Sequence, residues 1–274
     1  MYSPFQLAKK YIRYWITAAN GKGHGVHSPF VFDFIKFVLR DKKDYYCYGP
    51  IEQLRQQLLQ NSEVIEVEDF GAGSTVIKSN QRVVKAMAAS SLKPKKFAQL
   101  LFRIVNKYLP AEGLPGERPR TIVELGTSFG ITTSYLASGN NKTLVYTCEG
   151  AASIANIAQQ NFNALGLNNI ILLQGDFAKT LPVLLDSLQQ IDLAFVDGNH
   201  RKAPTLQYFE QLLPKTTAQS ILIFDDIHWS VEMEEAWATI KAHPAVTLTI
   251  DLFFIGLVFV NTDFKVKQDF TVRF

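Results

Sequence analysis

Acidic residues recur at the ends of short apolar segments in the second half of the chain. Five such segments end in a carboxylate, and these are Glu124, Glu149, Asp176, Asp197 and the pair Asp225 and Asp226. One such acid is commonly a solvated loop residue or a helix N-cap. Five in succession are harder to explain in that way, because the carboxyl ends of parallel strands meet at one edge of a sheet, where ligands bind. The sequence therefore predicts a binding site at this edge.

The turn after the first of these segments contains residues that suit a closely bound ligand. It reads VELGTSFGITT over 123–133. Gly126 and Gly130 allow the backbone to approach a ligand, and the helix that begins near Ile131 offers its amide groups. A dinucleotide fingerprint anchored at Gly126 needs glycines two and five residues later. The chain has Ser128 and Ile131 there, which argues against a pyrophosphate ligand.

Three residues at the next two strand ends suit a nucleoside. Glu149 lies about 20 residues after Gly126, where an acidic residue accepts the hydroxyl groups of a ribose. Asp176 offers an acceptor for an adenine amino group, and the ring of Phe177 can lie against the base. The pattern therefore favours an adenosine-containing ligand.

The elements that must position these residues alternate between strand and helix. The predicted parallel strands are TIVELG (121–126), TLVYTCEG (143–150), NIILLQGD (169–176), IDLAFVD (191–197) and QSILIFDD (219–226). Their nearly continuous apolar character indicates burial on both faces. VTLTIDL and GLVFVN follow with only a few residues between them, so they can pair only as an antiparallel hairpin. The sequence predicts an α/β fold with a doubly wound, mostly parallel, seven-stranded sheet that ends in this hairpin.

Upstream of the predicted sheet the pattern is mainly helical. The segment LPAEGLPGERPR (109–120) interrupts both helix and strand, and we place the boundary there. We expect residues 1–112 to form a helical N-terminal extension that serves as a lid, an acceptor-binding surface or a dimer contact. Ser28 and Pro29 predict a helix start in this extension. Residues 113–274 then hold the sheet domain.

Composition and charge exclude several classes of protein. Of 274 residues, 47% are hydrophobic and 19% are charged, which is typical of a folded protein with a full core. The net charge of +3 argues against a dedicated nucleic-acid binder. We see no apolar run of the roughly 18–20 residues that span a bilayer, nor a signal peptide. With only two cysteines, the sequence predicts a soluble, reduced, cytoplasmic protein.

The order of the motifs resembles that of class I S-adenosylmethionine-dependent methyltransferases. VELGTSFG, CEG, GDF and the terminal hairpin follow one another over roughly residues 118–262. The family pattern at the first turn is acidic-x-Gly-x-Gly-x-Gly, and here Ser128 replaces the middle glycine. The resemblance implies a Rossmann-like fold and S-adenosylmethionine as cofactor. The cofactor-binding residues that it implies are Glu124, Gly126, Thr127, Ser128, Gly130, Glu149, Gly150, Asp176, Phe177 and Asp197.

Two later motifs resemble one branch of that family. FVDGNHRKA (195–203) and LIFDDIHWS (222–230) are similar to the catechol and caffeoyl-CoA O-methyltransferases and their bacterial relatives. The resemblance implies a divalent cation such as Mg²⁺, held by Asp197, Asp225 and Asp226, which are hard oxygen donors. Asp226 departs from the catechol type, which has an amide there.

The same branch implies the catalytic residues and the reaction. Its base is a lysine three residues after the fourth-strand Asp197, and this chain has His200 there. A histidine with a pKa of about 6.5 is a suitable base at neutral pH. His228 is a second candidate. The expected reaction is in-line transfer of a methyl group to a hydroxyl of a small molecule. The low net charge leads us to expect no nucleic-acid partner, and the Phe- and Tyr-rich N-terminal part is one candidate for a homodimer contact.

Other interpretations stay open at this point. One is a nicotinamide-dependent oxidoreductase, which the missing glycines disfavour. Another is a non-catalytic module that keeps the cofactor site but acts through its N-terminal helices. The segment EDFGAGS (68–74) imitates the first motif, but we interpret it as a turn, or as part of a lid that brings Arg82 and Lys85 near the acceptor. His24 and His27 favour a capped helix start over a metal pair.

Overall fold

The computed structural model describes residues 1–19, 21, 23, 26–67, 80–110 and 118–274. The predicted turn at 68–74 and His24 lie outside the described residues, as does most of the predicted boundary segment. The chain forms two compact units, which are Met1–Asp41 with Leu185–Phe274, and Lys42–Leu184. We describe each unit by itself. None of the described helices is long and apolar enough to cross a membrane.

The first part of the chain is mainly helical, as predicted. Its elements are α1 (Pro4–Thr17), α2 (Pro29–Phe34) followed by a π-helical turn (Ile35–Leu39), α3 (Tyr48–Gln60), β1 (Val64–Glu66), β2 (Gln81–Val83), α4 (Val84–Ser91) and α5 (Lys95–Tyr108). Ser28 caps α2 by accepting the Val31 N–H, which confirms the predicted helix start. Ser3 caps α1 in the same way through the Gln6 N–H.

From residue 121 onward strands and helices alternate. The elements are β3 (Thr121–Leu125), α6 (Ile131–Gly139), β4 (Leu144–Glu149), α7 (Ala152–Ala164), β5 (Ile170–Gln174), α8 (Phe177–Ser187), β6 (Leu193–Val196), α9 (Lys202–Leu212) with a 3-10 turn (Leu213–Lys215), β7 (Ile221–Asp225), α10 (Val231–Ala242), β8 (Leu248–Asp251), β9 (Ile255–Phe259) and β10 (Gln268–Thr271). All seven predicted strands are present.

The strand pairing confirms a mostly parallel sheet with an antiparallel end. In the Lys42–Leu184 unit, β3, β4 and β5 are parallel neighbours in that order. In the other unit the order is β10, β8, β9, β7, β6. β6 and β7 are parallel, and β9 runs antiparallel to both β7 and β8. β10 pairs with β8 in parallel and was not predicted, because QDFT has no continuous apolar run.

The helical residues before residue 113 do not group as one body. Residues up to Asp41 belong to the unit that holds β6 to β10, whereas those from Lys42 on belong to the unit that holds β3 to β5. In the second unit, α3, β1 and α4 share a core with the turn after β3 and with α6, through residues such as Ile51, Val84, Phe129 and Tyr135. The division of function at residue 112 stays a prediction.

α6 begins at a glycine that no larger residue can replace without strain. Gly130 has a φ of +81° and caps α6 in the left-handed conformation. A Cβ built there would overlap Cε1 of Phe162, whose ring is fully buried. The turn therefore packs so closely against the Phe162 ring of α7 that position 130 has room for the hydrogen of glycine and not for a Cβ.

Replacement of three glycines by alanine separates backbone strain from steric overlap. We expect Gly130→Ala to lower the free energy of unfolding by about 3 kcal/mol, since it adds both a left-handed alanine and a clash with a buried ring. Gly166→Ala, at a φ of +67° with nothing within 4 Å, should cost about 1 kcal/mol. Gly49→Ala, in open space inside α3, should cost nothing or stabilise slightly.

Urea unfolding of the three variants without ligand measures these differences. An equal loss in Gly130→Ala and Gly166→Ala would contradict the steric part of the argument.

Candidate functional site

The turn after β3 has three left-handed residues at alternate positions. Gly126 has a φ of +100°, Ser128 of +48° and Gly130 of +81°. The Gly126 N–H donates to the Cys148 carbonyl at 3.0 Å, which ties the turn to β4. A left-handed serine is disfavoured by its Cβ, but its N–H donates to Oε2 of Glu149 at 2.9 Å. The middle position of the turn is therefore held by the acidic residue at the end of β4.

Glu149 is oriented from the protein side by backbone amides. Its other oxygen, Oε1, accepts the Ala151 N–H at 3.1 Å. Burial raises the pKa of Glu149 above its ordinary value, while N–H donors from Ala151, Ser128 and Gly150 oppose the shift. An ionised carboxylate has about four acceptor positions. These donors therefore fix the Glu149 carboxylate and leave capacity for a ligand hydroxyl.

Glu124 supports the turn from inside the protein. It lies in β3, is fully buried, and accepts hydrogen bonds from the Thr133 hydroxyl and, at 2.6 Å, from the Thr147 hydroxyl. The Thr127 hydroxyl lies 2.6 Å from that of Thr147 and donates to it, because Thr147 uses its own proton on Glu124. This chain of hydroxyls links β3, β4, the turn and α6.

The predicted adenine contacts lie at the start of α8. Oδ1 of Asp176 accepts the Ala178 N–H at 3.0 Å, so the carboxylate caps this helix. Gly175, before it, has a φ of +141° and donates its N–H to the Glu149 carbonyl at 2.8 Å. Phe177 is the first helical residue and is half-buried. The backbone hydrogen bond between Gly175 and Glu149 connects the carboxyl ends of β4 and β5. It agrees with the expectation that the residues after these two strands lie at the same edge of the sheet.

In the other unit, the residues after β6 and β7 come together as one polar group. Ligand atoms of Asp197, His200 and Asp225 all lie within 4.8 Å of one another. His200 Nε2 is 3.4 Å from Asp197 Oδ1. Asp225 ends β7 and is buried, whereas Asp197 and His200 are half-buried. The fold thus assembles residues that are 28 positions apart in the sequence, because β6 and β7 are parallel neighbours.

Left-handed backbone conformations direct these side chains. His200 has a φ of +34°, Asn199 of +62° and Asp226 of +53°. Such conformations cost of order 1–2 kcal/mol for residues with a Cβ. Asn199 is anchored by its amide, which donates to the Tyr208 hydroxyl at 2.6 Å. The backbone strain is therefore located in the residues that directly follow β6 and β7, which are the residues of this polar group and their neighbours.

Negative charge sets the protonation of His200. Burial would lower the pKa of His200, but its hydrogen bond to Asp197 and the charges of three carboxylates, those of Asp197, Asp226 and Asp225, raise it to about 9. His200 therefore carries a proton at neutral pH while these carboxylates are ionised. The proton balances part of the negative charge that the strand ends bring together.

The donor set fits a divalent cation. Two carboxylates and one imidazole within 4.8 Å of one another are the kinds of ligand that Mn²⁺ and similar ions take, and the carboxylates alone suit Mg²⁺. The sequence predicted Asp197, Asp225 and Asp226 as the ligands. Among the described residues the structure groups His200, rather than Asp226, with the other two.

His228 has a different environment from His200. Its Nδ1 lies 3.1 Å from Glu234 Oε1, and its Nε2 lies 2.8 Å from Asp251 Oδ2. The ring stacks on Phe253 with centroids 5.2 Å apart. Both ring nitrogens thus face carboxylates from α10 and β8. Spacing gave no signal for Glu234 and Asp251, which lie 6 and 23 residues away in the chain.

A family model described as a methyltransferase domain matches residues 123–227. The match runs from β3 through the end of β7 and includes the left-handed turn, Glu149 and the Asp197 group. The resemblance to class I S-adenosylmethionine-dependent methyltransferases is therefore confirmed for these residues. The search of curated proteins found no match to the chain.

Solved structures share the fold at low sequence identity. An O-methyltransferase from Bacillus cereus in complex with SAH has 19% identity and a TM-score of 0.51, covering 84% of this chain and 97% of that one. The O-methyltransferase TomG from Streptomyces achromogenes, in complex with SAM, has 14% identity and a TM-score of 0.53, covering 83% and 95%. A putative caffeoyl-CoA O-methyltransferase from Staphylococcus aureus has 15% identity and a TM-score of 0.53, covering 77% and 98%.

The contacts of His228 predict a pH-dependent contribution to stability. Burial lowers the pKa of His228, but hydrogen bonds and charges from Asp251 and Glu234 outweigh it, so the folded pKa lies above the ordinary 6.5. The stabilisation is then fully present below pH of about 6.5 and is lost as pH rises through the raised folded value. His228→Gln should lose about 1–3 kcal/mol at low pH and show less pH dependence.

Chemical denaturation of wild type and His228→Gln at pH of about 6 and about 9 tests this prediction. The exposed His27→Gln is the control and should leave both the stability and its pH dependence unchanged. A constant difference between wild type and His228→Gln at the two pH values would contradict it.

Proposed function

We propose that this chain, whose residues 123–227 match a family model described as a methyltransferase domain, transfers the methyl group of S-adenosylmethionine to a hydroxyl of a small molecule. The observation that carries the proposal is the coupling of the left-handed turn after β3 to the Glu149 carboxylate through the Ser128 N–H. Recognition of a ribose needs a carboxylate that is held in place, next to a glycine-containing turn whose backbone a ligand can approach.

Each cofactor-binding residue has a proposed part in holding the nucleoside. Glu149 accepts the ribose hydroxyls. The backbone of Gly126, Thr127, Ser128 and Gly130 approaches the methionine portion closely, because two of these positions have no side chain and the Phe129 ring between them is buried in the protein. Phe177 offers a ring to the adenine, with Asp176 and Gly150 beside it. Glu124 acts through the turn, since it is fully buried. Asp197 completes the predicted set.

The proposed reaction is an in-line displacement at carbon. The substrate hydroxyl oxygen bonds to the sulfonium methyl carbon, the carbon–sulfur bond breaks, and its electron pair stays on the neutral thioether. The hydroxyl proton leaves to a base. The methyl donor is already activated, so orientation and proton removal are the protein's tasks. Oxygen is favoured as the acceptor atom by the motifs at 195–203 and 222–230 and by solved O-methyltransferases of the same fold.

His200 is the proposed base, oriented by Asp197. With a pKa of about 9, His200 is mostly protonated at neutral pH, so only its neutral fraction can accept the hydroxyl proton, and this fraction grows as the pH rises toward 9. The carboxylates that raise the pKa then stabilise the imidazolium that forms. His228 is not part of this proposal, because both of its ring nitrogens face the carboxylates of Glu234 and Asp251.

A divalent cation is the second element of the proposal. The sequence pattern assigns it to Asp197, Asp225 and Asp226, and the grouping of His200 with the first two makes His200 a competing ligand. When bound, a cation lowers the pKa of a substrate hydroxyl and orients it. A ring nitrogen that binds the metal cannot also accept a proton, so the two roles of His200 are exclusive and can be separated.

Removal of the Glu149 carboxylate tests cofactor binding. Glu149→Ala should weaken S-adenosylmethionine binding well over tenfold, because a charge-assisted hydrogen bond and the anchor of the turn are both lost. Isothermal titration calorimetry measures the affinity, and the exposed Glu63→Gln is the matched control. Wild-type affinity in Glu149→Ala would remove the ribose assignment. Stabilisation by NAD in place of S-adenosylmethionine in a thermal melt would favour the oxidoreductase alternative.

A substitution at His200 distinguishes base from ligand. As the base, His200→Gln should lower methyl transfer from labelled cofactor to a panel of phenols and catechols by about 10²–10⁴-fold, with unchanged affinity for the cofactor and for Mg²⁺ or Mn²⁺. As a ligand, the same change should weaken Mn²⁺ binding by about tenfold or more in calorimetry. Asp225→Asn is the reference for loss of a metal ligand. Wild-type turnover in His200→Gln would remove the base role.

A further inference from the structure

One face of α1 is packed firmly against the rest of its unit. The Tyr2 hydroxyl donates to Glu234 Oε2 at 2.7 Å, and Lys10 Nζ lies 3.0 Å from both oxygens of the same carboxylate. Tyr14 is buried beside Phe253, with ring centroids 5.2 Å apart, and its hydroxyl donates to the Val272 carbonyl. The helix is therefore fixed in orientation, so its opposite face is presented in a defined way.

That opposite face is apolar and exposed. We call it the outer face of α1 and define it as Phe5, Ile12, Ile16 and, at its edge, Trp15. Phe5 is 80% exposed, Ile16 69% and Ile12 59%, and Trp15 is 46% exposed. Residues 5, 12 and 16 are spaced by seven and four positions, so they lie on one side of the helix, and the exposed Lys9 lies on the same side between Phe5 and Ile12. Single exposed apolar residues are normal, whereas an ordered stripe marks an interaction surface.

The residues around the outer face of α1 are basic, which favours a negatively charged partner. α1 contains Lys9, Lys10 and Arg13 and no acidic residue, and Lys9 and Arg13 are exposed. Residues 1–41 contain six basic and two acidic residues, a net charge of +4, whereas residues 42–274 contain 22 basic and 23 acidic ones, a net charge of −1. The basic excess of the chain is thus located in the segment that displays the apolar stripe.

We propose that the outer face of α1 binds the surface of an anionic lipid membrane, with the helix lying parallel to that surface. Phe, Trp and Ile on one side, with Lys9 among them and Arg13 beside them, is an arrangement that interfacial amphipathic helices use, since the aliphatic part of a lysine can lie along the apolar surface while its charge reaches the headgroups. The apolar side chains enter the boundary between headgroups and acyl chains, and Lys9 and Arg13 reach the anionic headgroups. A second copy of the chain is the less suitable occupant, because pairing two such faces brings like charges together.

The membrane mode fits the way α1 is held. Tyr2, Lys10 and Tyr14 occupy the protein side of the helix, so binding a flat surface needs no rearrangement of these contacts. Because the backbone of α1 is already helical, binding does not carry the entropy cost of folding this segment. The protein would associate reversibly, since one short helix inserts only a shallow apolar face.

Vesicle co-sedimentation of the full chain tests the proposal. The probes are vesicles of pure phosphatidylcholine and vesicles of about three parts phosphatidylcholine to one part phosphatidylserine. Wild type should bind the anionic vesicles, bind the neutral ones far more weakly, and dissociate as salt is raised. Trp15 supplies a second readout, because its emission should shift to shorter wavelength on the anionic vesicles and Trp15→Phe should remove that shift.

Two exposed double variants separate the apolar and electrostatic contributions. Ile12→Ser with Ile16→Ser should weaken binding by at least about tenfold, through the lost apolar area. Lys9→Glu with Arg13→Glu should weaken it by more than about thirtyfold, since each basic residue near an anionic surface contributes about fivefold. Val183→Ser with Lys179→Glu, both exposed on α8, is the matched control and should bind as wild type does.

The outcomes are distinct from those of the methyl-transfer experiments. No binding to anionic vesicles, or equal losses in the α1 variants and the α8 control, overturns the proposal. A wild-type dimer in light scattering that becomes a monomer in Ile12→Ser with Ile16→Ser, without vesicle binding, assigns the face to a second copy and overturns it as well. The three double variants should keep wild-type unfolding curves, because the residues that they change are exposed.

Discussion

The buried carboxylate of Glu124 is the constraint on which the turn after β3 and its neighbouring elements depend. A carboxylate removed from water is costly unless it is hydrogen-bonded, and here the hydroxyls of Thr133 and Thr147 supply the donors. Those donors come from α6 and β4. The Glu124 carboxylate can therefore be buried only when β4 and α6 are both packed against β3. These hydrogen bonds thereby tie β3 to α6 and to β4, and the turn between β3 and α6 contains three left-handed residues.

The substitution of serine at the middle of that turn follows the same logic. Glycine adopts a φ of +48° freely, whereas Ser128 needs compensation. Its N–H meets Glu149, and its hydroxyl lies 3.0 Å from that of Ser91 at the end of α4. The helices from Lys42 onward thus contact the turn itself. The serine, which departs from the usual glycine pattern, thus has a backbone contact to Glu149 and a side-chain contact to α4.

The polar group at the ends of β6 and β7 brings several charged side chains close together, whereas the turn after β3 depends on the burial of one carboxylate. Asp197, Asp225 and Asp226 follow adjacent parallel strands, and a protonated His200 or a cation can balance them. The left-handed backbone at His200 and Asp226 stores strain in this group. His228, only two residues further on, instead links α10, β8 and, through Glu234, α1. The two histidines thus have different environments. His200 lies at the proposed reaction centre, whereas His228 connects α10 with β8.

The sequence by itself determined the seven strands, the antiparallel end and the acids at the strand ends. It could do so because strands buried on both faces must be continuous apolar runs, and because parallel strands place their polar carboxyl ends together. Only the tertiary structure decided that Asp176 caps α8, that His200 rather than Asp226 joins Asp197 and Asp225, and that His228 meets Glu234 and Asp251. These outcomes depend on left-handed backbone angles and on contacts between residues distant in the chain, which leave no periodic signal in a single sequence.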